Sequence, residues 1–287
     1  MRGPVGSEII ITVVREGEDE PFEVTIIRDF IKLTAARVRT EGKSVVIRVT
    51  TFNDNTFDNI RDGLDKELQS AGGLENINGI VIDLRNNPGG LLSQAVGVSD
   101  AFLEQGEIVS TRSRQKDSAR RWNATKGDIT SGKPIVVLVN RGSASASEIV
   151  AGSLQDHKRA IIVGQKTFGK GSVQSIIQIS KDKAIKFTTA KYYTPSGRSI
   201  QKLGIIPDVV IPRLVVTKEL EEVEYGENKL SGALSNEQEK KQEKISIEDK
   251  LKQKQDGKEG KTLNITDYPL ARAIDTLKTA ILLESIR

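Results

Sequence analysis

The run Ile135-Val136-Val137-Leu138-Val139 is apolar without alternation, is framed by Pro134 and Asn140, and is followed by the small-residue stretch GSASASEI at positions 142–149. A strand apolar on both faces must be covered on both, as happens in a parallel sheet flanked by helices. Residues 80–84 (IVIDL) repeat the arrangement: a buried-strand pattern, the turn Pro88-Gly89-Gly90, and helical spacing over 91–103. The fold class is therefore read as α/β. A strand-turn-helix junction leaves amides unpaired at the helix start, which can stabilise an oxyanion, and α/β enzymes tend to place nucleophiles there.

Ser143, Ser145 and Ser147 alternate through the second junction, and the residues alone leave open which hydroxyl faces a cleft. Ser143 or Ser147 can equally serve as a helix cap. Gly142, Ala144 and Ala146 are small enough to let a substrate backbone approach. A serine hydroxyl is a weak nucleophile and needs a base within hydrogen-bond reach. The single histidine, His157, would lie roughly 18 Å along the helix from Ser145 at about 1.5 Å per residue. The chain has no cysteine, which excludes thiol nucleophiles, disulfides and thiolate metal sites together. Serine paired with lysine is the arrangement left.

Lys170 stands 25 residues after Ser145, framed by Gly169 and Gly171. Alternation from Phe168 to Ile179 suits a strand, which would put Lys170, Ser172 and Gln174 on one face. A lysine works as a base only when neutral, a state that burial favours. Lys158 and Lys166 have no such frame and read as solvated charges. Residues 164–170 also fit the first seven positions of a phosphate-binding G-x-x-x-x-G-K loop. Gly171 then stands where serine or threonine must hold magnesium, and a strand pattern follows instead of a helix, so nucleotide binding is rejected.

With these residues in hand, the segment from Asn140 to Gln174 resembles the carboxyl-terminal processing, or tail-specific, serine proteases. The resemblance implies a nucleophile at the middle serine of S-A-S-A-S-E-I, Ser145, a base in F-G-K-G, Lys170, and a supporting glutamine, Gln174. It also matches Asp156 to an aspartate implicated in some members, against a plain structural role at a helix end. Residues 79–90 (GIVIDLRNNPGG) match the family's strand and glycine turn, implying an oxyanion hole from Gly89 or Gly90 together with the amide of Ala146. Residues 191–201 (KYYTPSGRSIQ) and 204–208 (GIIPD) match further blocks, which read on their own as turns. The resemblance spans about residues 1 to 213 and implies a crotonase-like spiral protease core. It further implies a serine endopeptidase that needs no metal or organic cofactor and cleaves proteins near flexible, apolar C-termini. The rival from another class is an inactive scaffold or interaction protein on the same fold.

The ends of the chain read differently. Residues 1–30 resemble only the closing, mainly β part of a PDZ module, with the peptide-binding half missing, so the chain is expected to be truncated or begun internally. No secretory signal or transmembrane run is legible there, because acidic residues interrupt the apolar stretches. The resemblance implies a periplasmic protein or one at a membrane on the exported side, and is compatible with peripheral membrane association and a homo-oligomer. The catalytic core is placed at 31–213 and a charged, solvated linker at 214–262; from 237 to 261, fifteen of 25 residues are charged, eight basic and seven acidic. Residues 263–287 carry the helical spacing of a final helix, capped by Thr266 or Asp267, that docks on the body or a partner. The balance of 43 basic and 39 acidic residues, with only 4% aromatic, does not favour nucleic acid.

Overall fold

The computed structural model describes residues 2–29, 34–114, 119–212 and 267–286. The expected charged linker at 214–262 lies outside the described residues. Its centre is a six-stranded sheet. β3 (Ala36–Glu41), β4 (Ser44–Val49), β5 (Gly79–Asp83), β8 (Ile135–Val139), β9 (Ala160–Gly164) and β12 (Val209–Val210) run in the order β12-β9-β8-β5-β4-β3. All neighbours pair in parallel except β3, which returns antiparallel along β4. β5 and β8 are buried at every position, as continuous apolar runs require of parallel strands covered on both sides.

Side chains alternate between two cores. Val45, Ile47, Ile80, Ile82, Ile135 and Val137 join one cluster with α1 (Thr56–Ala71), α2 (Leu92–Asp100) and α3 (Ala146–Asp156). Val46, Val81, Val136 and Leu138 join the other with Leu270, Ala273 and Leu277 of α4 (Tyr268–Ile286). The last helix thus seals the face opposite the first three. Its Asp267 accepts the Leu270 amide at 3.1 Å, one of the two caps read from the sequence.

A second sheet has the order β10-β11-β6-β7, built from β6 (Glu107–Ser113), β7 (Arg120–Asn123), β10 (Ser172–Ser180) and β11 (Lys183–Tyr193). At the amino end, β1 (Glu8–Val13) and β2 (Phe22–Ile27) form a separate antiparallel hairpin. Its Ile9, Ile11, Val13, Phe22, Val24 and Ile26 share one face, by the period of two and the pairing register.

One sequence expectation changes here. The strand read over 168–179 begins only at Ser172, and residues 168–171 form a loop. Gly169 has φ +90°, a left-handed conformation that ends extended alternation, and its backbone runs against Lys202 and Gly204. A register shift between Val173 and Gln174 breaks the alternation again. Lys170 and Gln174 are therefore not related by a shared strand face.

Candidate active site

Three adjacent parallel strands, β5, β8 and β9, end at the same edge of the central sheet, and the loops that follow them converge. The carboxyl edge of a parallel sheet is where α/β proteins build their sites. The loop after β5 carries Gly89 and Gly90, the loop after β8 carries Ser145, and the loop after β9 carries Lys170.

The three serines separate by environment. Ser143 is fully buried; its hydroxyl donates to the Leu84 carbonyl at 2.8 Å and accepts the Asn140 amide at 3.0 Å. Ser147 is also fully buried and donates to the Asn87 carbonyl at 3.0 Å. Ser143 fastens the β8 loop, and Ser147 the start of α3, to the β5 loop. Ser145 alone of the three is partly exposed, and it heads α3 with φ 57° and ψ −112°. A non-glycine residue held there costs on the order of 1–3 kcal/mol and persists where surrounding bonds enforce it.

Those bonds are present on both sides. Asn140 Oδ1 accepts the amides of Asn86 and Gly142, each at 2.9 Å. The Ala144 amide donates to the Asn87 carbonyl at 3.0 Å. Gly89, at φ +98°, passes so close that a β-carbon on it would stand 2.8 Å from Ser145 Cβ and 2.9 Å from the Ala146 nitrogen. Only glycine admits that approach.

Glu148 was not singled out from the sequence, yet it joins two of the loops. Fully buried on α3, its carboxylate accepts four hydrogen bonds, two on each oxygen. Oε1 takes the Thr167 hydroxyl at 2.5 Å and the Gly169 amide at 2.6 Å. Oε2 takes the Ser145 amide at 2.8 Å and the Lys170 amide at 2.9 Å. One oxygen thus holds the main chains of Ser145 and Lys170 with their nitrogens within about 6 Å of each other. The legible signal was Glu at the third position of the helix after a serine, which is half of a capping box. That its other oxygen would reach the β9 loop depends on tertiary contact, which spacing does not carry.

The loop bearing Lys170 is fixed from its far side as well. The Phe168 amide donates to the Ser143 carbonyl at 3.0 Å, the Ile205 amide to the Thr167 hydroxyl at 2.7 Å, and the Gly171 amide to Gln201 Oε1 at 3.1 Å. Lys170 is partly buried, and among the described residues its ammonium has no carboxylate partner. Gln174 is exposed on β10.

Of the backbone donors, the Gly89 amide is engaged by Asn87 Oδ1 at 2.9 Å. The amides of Gly90 and Ala146 find no acceptor among the described residues. Asp156 lies at the opposite end of α3, roughly 16 Å along the axis from Ser145 at about 1.5 Å per residue. There it accepts the Ser196 amide at 2.9 Å and pairs with Arg198 at 2.6 Å. His157 bonds the Glu107 carbonyl at 2.7 Å, past that same end. Among the described residues no group of histidine and acidic side chains is arranged to hold a metal ion.

Residues 43–211 match the model of peptidase family S41. The carboxy-terminal-processing protease of Bartonella bacilliformis is 49% identical over 240 residues, covering 83% of this chain and 55% of that protein. The carboxyl-terminal-processing protease of Synechocystis is 38% identical over 222 residues, 76% of this chain and 50% of the relative. Among solved structures, a photosystem II D1 C-terminal processing protease superposes with a TM-score of 0.57 at 31% identity, over 73% of this chain and 56% of that one. The chain spans about half the length of the curated relatives it matches.

Proposed function

This chain belongs to peptidase family S41, and from that membership we propose that it is a serine endopeptidase with Ser145 as nucleophile and Lys170 as base. The observation that carries the proposal is the shared oxygen of Glu148, which tethers the main chains of both residues. Ser145 Oγ attacks the scissile carbonyl while the neutral Lys170 amine takes its proton. The lysine then gives that proton to the leaving amine, and water hydrolyses the acyl-enzyme by the reverse route. The amides of Ala146 and Gly90 hold the oxyanion, a pairing favoured by their lack of other acceptors among the described residues. Gly89 shapes the turn that brings that donor to Ser145. Gln174 steadies the lysine only if it turns inward from its exposed place on β10, and Asp156 supports the site through the helix it ends.

The finer family features belong to this reading too: a crotonase-like spiral core, with the β1–β2 hairpin as part of a PDZ module. The substrates are proteins with flexible, apolar C-terminal tails, cleaved in the periplasm or beside a membrane on its exported side. Peripheral membrane association and self-association are part of the same proposal. No helix among the described residues is long and apolar enough to cross a membrane. The test is cleavage of an unfolded reporter with an apolar tail. The parent degrades it, and folded Ser145→Ala and Lys170→Ala variants lose at least about a thousandfold in kcat. Equal degradation by all three would refute the proposal.

A further inference from the structure

Among the described residues, β10 is the outermost strand of the four-stranded sheet and pairs only with β11. An open edge presents a row of unpaired backbone groups, and proteins guard such edges with lysine, proline or shortness. β10 has none of these guards. It is nine residues long, SVQSIIQIS, without a charge or a proline. The hairpin's charges fall on the turn, at Lys181 and Asp182, and on the inner strand, at Lys183, Lys186 and Lys191.

The surface beside this edge is apolar and open. Ile176, Ile177 and Ile179 of β10 are 71%, 51% and 61% exposed. Ile177 pairs across to Ile185, and Phe187 follows on the same face, both exposed. None of these five residues belongs to either core cluster. The strand also starts beside the candidate active site, since Ser172 is two residues after Lys170. At about 3.3 Å per residue it carries its open edge roughly 30 Å outward from there.

We infer that the outer edge of β10 receives an extended, uncharged stretch of the substrate polypeptide as a fifth strand of this sheet, delivering the chain to Ser145. The inference rests on the serine-peptidase reading and extends it from the scissile bond to the chain beyond. Main-chain pairing would supply affinity without demanding a sequence, while Ile177, Ile179 and Phe187 favour apolar segments. The strand begins two residues after Lys170, so a chain paired along it runs to the candidate site, which argues for substrate as the occupant.

The test guards the edge. The double variant Ile177→Lys with Ile179→Lys changes exposed positions only and keeps the fold, as its melting curve would show. Two rates are compared with the parent: kcat/KM for cleavage of unfolded β-casein, and the rate at which a small fluorophosphonate phosphonylates Ser145 with loss of fluoride, which needs no contact with β10. The expected result is a fall of about tenfold in casein cleavage with phosphonylation unchanged. Unchanged casein cleavage beside normal phosphonylation overturns the inference while leaving the peptidase standing. A parent that is not phosphonylated sinks the peptidase reading, and the inference with it. A variant that turns a dimer into a monomer on sedimentation yet cleaves casein as before also overturns it, making the edge a contact between copies.

Discussion

At the scale of single residues, Glu148 explains how a serine and a lysine 25 positions apart are held as a pair. A buried carboxylate is stable only when its lone pairs are filled, and here four donors fill them. Glu148→Gln keeps the shape but turns one acceptor into a donor that faces either Thr167 and Gly169 or Ser145 and Lys170. Peptide cleavage should fall at least about tenfold in kcat with little change in KM, because the loss lies in alignment. Melting should also drop, by the equivalent of about 2 kcal/mol, since buried donors are left unpaired. A variant with parental kcat would show that the tether is not needed. The three serines make the complementary point. Their spacing left Ser143, Ser145 and Ser147 equivalent, because a period of two in a turn does not say which side faces solvent. The hydrogen bonds of Ser143 and Ser147 across to the β5 loop remove two of them, and those partners lie 59 and 60 residues away in sequence.

At the scale of elements, acidic side chains fasten two helices to the body. Burial alone would raise the Asp156 carboxyl, but hydrogen bonds from Thr194 and Ser196 and the charge of Arg198 outweigh it and hold it below the usual carboxylate range. Asp267, at the start of α4, is lowered chiefly by its hydrogen bond to Arg85, which itself grips Asp83 at the end of β5. A carboxylate lowered in the folded state contributes stability that is fully present above its unfolded value of about 3.9 and is lost as pH falls through the folded one. The melting temperature should therefore hold steady from neutral pH to about 5 and decline below about 4. Asp156→Asn should melt lower at neutral pH and lose less on acidification. Calorimetry that found the same acid slope in parent and variant would contradict this account of Asp156. The elements themselves were legible to different degrees. β5 and β8 followed from apolar runs, because a strand buried on both faces needs no partner to announce it. The strand expected from Phe168 began four residues late, because a left-handed glycine and contact with Lys202 and Gly204 override alternation.

At the scale of the whole molecule, the described residues form a mostly parallel central sheet covered by three helices on one face and one on the other, with the candidate site at its carboxyl edge. That layout was legible in outline, since strand-turn-helix patterns name the edge where chemistry collects. The open edge of β10 was not legible, because edge position is a property of the assembled sheet, and neither was the Glu148 tether. The tether carries the central claim that Ser145 is a nucleophile whose partner is Lys170, and the β10 inference extends it. The most direct measurement is intact-mass spectrometry after treatment with a small fluorophosphonate, with the modified residue located by peptide mapping. The account predicts one adduct per chain at Ser145 in the parent, no adduct in Ser145→Ala, and an adduct slowed by about a hundredfold or more in folded Lys170→Ala. An adduct on Ser143, Ser147 or elsewhere, or equal rates with and without Lys170, would contradict it.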